Sequence, residues 1–134
     1  MKRILVPIDG SKESLAALRA VVGAGPAAVA RIELVNVQPY FHRHVSRWIA
    51  RSTRDAWRAE RSTRALAPAR RIVAHAGIPY DVHVIAGPMR RSIAQAARVL
   101  GVDEVAYLPR RGLLERLALP AGLGLVALML IAEE

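Results

Sequence analysis

The chain has 134 residues, of which 53% are hydrophobic and only 4% aromatic, so one domain with an aliphatic core is expected, as in a parallel sheet buried between helices. The absence of cysteine excludes disulfides, thiolate catalysis and thiolate zinc sites, and it fits a cytoplasmic protein. The net charge of +9 comes almost wholly from arginine, since Lys2 and Lys12 are the sole lysines; it reflects either an arginine-favouring codon composition or an anionic partner.

Met1-Lys2-Arg3 precedes an apolar run too short for a secretory leader, cut by Pro7 and Asp9. The apolar run over residues 123–132 is about half the length that spans a bilayer, so no membrane span is expected. A first strand is expected over residues 3–8, with Pro7, which lacks an N–H, near its end. Ser11 is a suitable N-cap, and Glu13 lies in the first turn of a helix reaching about residue 22. Leu15, Leu18, Val21 and Val22 recur there at helical spacing, and Gly23, Gly25 and Pro26 stop the helix. Residues 32–37 read as a second strand, which makes a βαβ unit with parallel strands.

A loop over residues 38–46 carries Tyr40, Phe41, His42 and His44. A long helix over residues 45–75 follows, and Pro68 is expected to kink or split it because the ring removes the bond back to residue 64. After Gly77-Ile78-Pro79 come a third strand over 80–85, a helix over 89–100 with Gly101 in the C′ position, and a fourth strand over 104–108. Residues 111–119 have room only for a short helix before Pro120. The apolar run 126–131 suits a fifth buried strand or a buried helix, and its length favours the strand.

The abrupt passage from Ile4-Leu5-Val6-Pro7-Ile8 into Asp9-Gly10-Ser11 marks a strand end, a tight turn and a helix start. In an open α/β sheet such a junction borders the ligand crevice. Asp-Gly-Ser is equally ordinary turn and capping chemistry.

These residues, with Glu33-Leu34-Val35-Asn36-Val37, Ala76-Gly77-Ile78-Pro79, Gly87-Pro88 and Ala97-Arg98-Val99-Leu100-Gly101-Val102-Asp103-Glu104-Val105, resemble a single-domain universal stress protein in order and spacing over residues 2–112. The resemblance implies an α/β fold with an open five-stranded parallel sheet of order 3-2-1-4-5 and helices on both faces. Such a fold is Rossmann-like and similar to the adenine nucleotide alpha hydrolases, here with a shortened C-terminal part. It also implies an adenine-nucleotide pocket, for ATP or AMP, where the winding reverses between strands one and four. Pro7 and Asp9 would border it, with Asp9 on the nucleoside and the backbone of Val37 on adenine. The family's phosphate motif, Gly-x2-Gly-x9-Gly-Ser/Thr, falls on Pro109, Gly112, Gly122 and Leu123. Gly112 and Gly122 are kept, whereas proline removes one N–H donor and leucine replaces the hydroxyl. Binding is therefore expected to be weak. Arg90, Arg91, Arg110 and Arg111 follow strands three and four, either as substitute phosphate ligands or as solvated loop and helix ends. The resemblance further implies a homodimer formed through the last strand.

Arg43, Arg47, Arg51, Arg54, Arg58 and Arg61 recur every three or four residues, which confines them to an arc of about 80° on a helix. Val45, Trp48, Ser52, Ala56, Ala59, Thr63 and Leu66 fall broadly opposite, so the stripe is expected to face water while those residues pack on the sheet. Such a stripe is either a solvated face or a surface for an acidic protein, a nucleic acid or an anionic membrane. His42 and His44 lack a third metal ligand nearby in sequence, and no nucleophile–base constellation is evident. The sequence thus reads as a regulatory or binding module of the stress response, either weakly nucleotide-binding or acting without nucleotide through its arginines. Catalysis would be slow ATP hydrolysis at most.

Overall fold

The computed structural model describes residues 1–38, 50–107 and 115–118. Their order is β1 (Lys2–Pro7), α1 (Lys12–Gly23), β2 (Val29–Gln38), α2 (Arg51–Ala76), β3 (Tyr80–Ala86), α3 (Met89–Leu100), β4 (Glu104–Tyr107) and β5 (Glu115–Ala118). β1 pairs in parallel with β2 and β4, and β2 pairs in parallel with β3, so the parallel strands run β3-β2-β1-β4.

β1 lies at the centre, and its alternation decides both layers. Ile4, Val6 and Ile8 point to one face, where Leu18 and Val21 of α1 and Leu66, Ala69 and Val73 of α2 cover them. Leu5 points to the other face with Val35, Val37 and Val105, under Ile93, Ala94, Ala96 and Ala97 of α3. A strand buried on both sides must be apolar at every position, which is why β1 reads as an unbroken hydrophobic run. Gly77 at φ 72° and Gly101 at φ 63° end α2 and α3 in the left-handed conformation that glycine adopts without a Cβ penalty.

Three expectations change. First, the sheet is not five parallel strands. Glu115–Ala118 pairs antiparallel with β4, from Glu104 opposite Ala118 to Tyr107 opposite Glu115. The seven residues between the two strands are too few for the crossover that a parallel neighbour needs, whereas an antiparallel return needs only a short loop. The short helix expected over 111–119 is thereby replaced in part by a strand that covers the outer edge of β4. The expected fifth strand over 126–131 lies outside the described residues. Second, α2 continues through Pro68 without a split. Leu66, Ala69 and Val73 are buried against the sheet on both sides of the proline and hold the helix in register. Third, α2 begins at Arg51 within the described residues, and the loop and helix start expected over 39–49 lie outside them.

Candidate functional site

The carboxyl end of β1 is fixed from β2. The Ile8 N–H donates to the Val35 carbonyl at 2.8 Å, and the Asn36 side-chain amide donates to the Ile8 carbonyl at 2.7 Å. Gln38 in turn donates to the Asn36 side-chain oxygen at 2.7 Å. Asn36 and Gln38 are both buried, so these bonds satisfy polar groups that would otherwise be costly at the strand end. In the sequence this pair shows only as two polar residues at alternate positions of a largely apolar strand.

Beyond Ile8 the chain turns sharply. Gly10 has φ 87°, and the Asp9 Oδ1 accepts a hydrogen bond from the Ser11 N–H at 2.8 Å. Ser11 then caps α1, its hydroxyl oxygen accepting from the Ser14 N–H at 3.1 Å. Partial burial pulls the Asp9 pKa upward, but hydrogen bonds from Ser11, Ser14 and its own backbone outweigh that and leave it below the ordinary aspartate value. Asp9 is an exposed carboxylate just past the carboxyl end of β1.

Pro7 ends β1 half-buried and opposite Val35, and Val37 is buried within β2 opposite Ile85. The structure thus gathers Pro7, Asp9 and Val37 at the same edge of two adjacent strands. Arg90 and Arg91 are exposed in the first turn of α3, just after the carboxyl end of β3. Gly112, Gly122, Pro109, Leu123, Arg110 and Arg111 lie outside the described residues, as do Arg43 and Arg47.

The arginine row of α2 faces water only in part among the described residues. Of the residues assigned to the packing face, Leu66 is buried, Ser52, Ala56, Ala59 and Thr63 are exposed, and Val45 and Trp48 lie outside the described residues. Arg54 and Arg58 are half-buried, while Arg51 and Arg61 are exposed. The azimuth of α2 is set further along, where Ser62, Leu66, Ala69 and Val73 are buried. Extending that face toward the helix start at 3.6 residues per turn passes between the arginine row and the alanine and serine row.

A second polar cluster lies on the α3 face of the sheet. Glu33, only 1% exposed, takes Arg31 Nε at 2.9 Å and His83 Nε2 at 2.7 Å, with Arg3 at 3.6 Å. Arg31 is also paired with Asp81. Glu33, Asp81 and His83 bring ligand atoms within 4.8 Å of one another, a grouping open to a cation, although Arg31 already engages both acids. Alternate positions 31 and 33 on one strand and 81 and 83 on the next were the sequence signal for it. A shallow cleft of about 380 Å³ lies beside it, lined by His83, Ile85, Ser92, Gln95, Ala96 and Val99. It lies between β3 and α3. No helix among the described residues is long and apolar enough to cross a membrane.

A family model described as the Universal stress protein family matches residues 1–124. No curated protein matches the chain. Among solved structures, a universal stress protein family member from Burkholderia pseudomallei is 26% identical, with a TM-score of 0.63 over 78% of each chain. A universal stress protein family protein from Arabidopsis thaliana with AMP bound is 12% identical, with a TM-score of 0.59 over 78% of this chain and 74% of that one. A universal stress protein in complex with cAMP is 18% identical, with a TM-score of 0.51 over 78% of this chain and 69% of that one. The last two bear on the fold alone.

Proposed function

The chain belongs to the universal stress protein family, and from that premise we propose that it is a regulatory or binding module of the stress response that takes an adenine nucleotide weakly. The observation that carries this reading is the reversal of winding at β1. β2 and β4 lie on opposite sides of β1, and the Asp9 turn stands where their carboxyl ends diverge. The AMP and cAMP complexes of relatives lend the reading its ligand class.

In this reading the Asp9 carboxylate accepts hydrogen bonds from the ribose hydroxyls, and the backbone at Val37 borders the base. In this reading the protein binds its ligand rather than turning it over. Homodimer formation through the C-terminal segment belongs to the same reading, and light scattering on the purified chain tests it.

The nucleotide reading is tested by denaturing the purified protein and separating the released small molecules by ion exchange, with thermal melts in millimolar AMP and ATP alongside. Release of AMP, ADP or ATP, or a rise in Tm that Asp9→Ala abolishes, is the expected result. A clean supernatant together with unchanged melts overturns it.

A further inference from the structure

We infer that Glu33, Asp81 and His83 form a site for a zinc-class divalent cation across β2 and β3, with the Arg31 guanidinium holding the place that the metal takes. The site shares no residue with the Asp9 turn, so it stands or falls separately from the nucleotide reading.

Three ligand types meet here because of strand register. Glu33 lies opposite Asp81 in the parallel pair of β2 and β3, and Val35, two residues on, lies opposite His83. Side chains at alternate positions of a strand share a face. Glu33, Asp81 and His83 therefore project to the same side of the sheet from adjacent strands, and their ligand atoms lie within 4.8 Å of one another. Ligand atoms around a four-coordinate zinc, each about 2 Å from the ion, stand about 3–4 Å apart. Small side-chain adjustments bring the cluster to that spacing, and the strands fix its backbone in advance.

The chemistry of the set selects the ion. An imidazole with two carboxylates suits zinc and its neighbours, whereas magnesium and calcium favour oxygen shells. Glu33 is 1% exposed, and a carboxylate so deep needs a cation beside it. Arg31 meets that need by pairing with both acids, and Arg3 approaches Glu33 at 3.6 Å. Both arginine side chains are partly exposed, so each can turn its guanidinium to water when the metal enters. One divalent ion then balances both carboxylates, which Arg31 alone cannot do with a single charge. His83 is partly exposed and lines the cleft between β3 and α3, which gives the ion a way in and a water a place as fourth ligand. Val99 and Leu100 of the last turn of α3 line the same cleft, so the negative end of that helix dipole lies on the side of the cation.

Calorimetric titration of the full, EDTA-treated chain with zinc chloride tests the site. Cobalt(II) chloride serves as the spectroscopic probe and magnesium chloride as the control for charge alone. The variants are His83→Gln, Asp81→Asn, Arg31→Gln and, as a control, His75→Gln, which alters an exposed histidine at the end of α2. The expected result is saturable zinc binding that raises Tm, with the visible cobalt bands of a four- or five-coordinate site. His83→Gln and Asp81→Asn are each expected to weaken zinc at least about tenfold, and His75→Gln to change it less than about twofold. Arg31→Gln removes the competing cation and is expected to tighten zinc at least about threefold. Asp81 is exposed, so Asp81→Asn keeps the fold and tests the site even if His83→Gln does not fold. The inference is overturned if the wild type does not bind zinc or if magnesium binds as tightly. It is also overturned if Asp81→Asn binds zinc like the wild type, which would place the metal elsewhere, or if Arg31→Gln weakens it.

Discussion

Ala65 of α2 lies directly over Gly10, in ordinary van der Waals contact with the position a Gly10 Cβ would occupy. That contact joins the turn after β1 to the middle of α2.

The space at Gly10 admits a methyl group, so its φ of 87° is what demands glycine. Gly10→Ala is expected to lower stability by about 1–2 kcal/mol, the cost of holding an L-residue in the left-handed region. Gly23→Ala, at the end of α1 with nothing near its Cβ position, is expected to be neutral or to stabilise by up to about 1 kcal/mol. Urea denaturation of both variants checks the pair, and equal losses would show that the turn carries no backbone constraint.

Ser11 serves two neighbours at once, capping α1 through Ser14 and supporting the Asp9 carboxylate. Ser11→Ala is expected to cost about 1 kcal/mol through the lost cap. It should also raise the Asp9 pKa toward the ordinary value. Because that pKa is lowered in the folded protein, Asp9 contributes stability above the pKa of the unfolded chain and loses it as the pH falls through the folded value. The variant should therefore lose less stability than wild type between neutral and acid pH. An NMR titration of the Asp9 carboxyl carbon reads the shift directly.

Pro68 removes one backbone bond from an otherwise continuous helix. Pro68→Ala restores a donor toward the Arg64 carbonyl and is expected to stabilise the protein by about 1–3 kcal/mol, less whatever packing the half-buried ring supplies. A fall in Tm on this substitution would mean that the ring's packing outweighs the missing bond.

Glu33 holds Arg31 and His83 together from a buried position on β2. Glu33→Gln keeps the shape and removes the charge, and it is expected to cost about 1–3 kcal/mol. Because the cluster is on the α3 face and away from Asp9, nucleotide binding should be unaffected. A loss of binding with stability intact would tie the cluster to the crevice.

Local pattern was enough for most of the elements. The double-sided burial of β1 shows as an unbroken apolar run, the Asp9-Gly10-Ser11 turn as a change of composition, and Gly77 and Gly101 as helix ends. Each of these depends on residues near in sequence. The family resemblance then supplied the strand order 3-2-1-4-5, though with the fifth strand parallel. Two matters were beyond local pattern. The direction of β5 depends on how few residues join it to β4, which excludes a crossover and forces an antiparallel return. The facing of the arginine row depends on packing that takes place elsewhere. Residues 51–61 contain no strong apolar anchor of their own except Trp57, which is 42% exposed, so their periodicity defines a stripe without saying which way it turns. Leu66, Ala69 and Val73, several turns away, seat the helix on the sheet and carry the arginines round with them. The sequence by itself determined the strands, the turn and the charge. The tertiary structure alone decided that Arg54 and Arg58 are half-buried while Ala56 and Ala59 are exposed, because a helix is rigid and its azimuth is fixed wherever its buried residues lie.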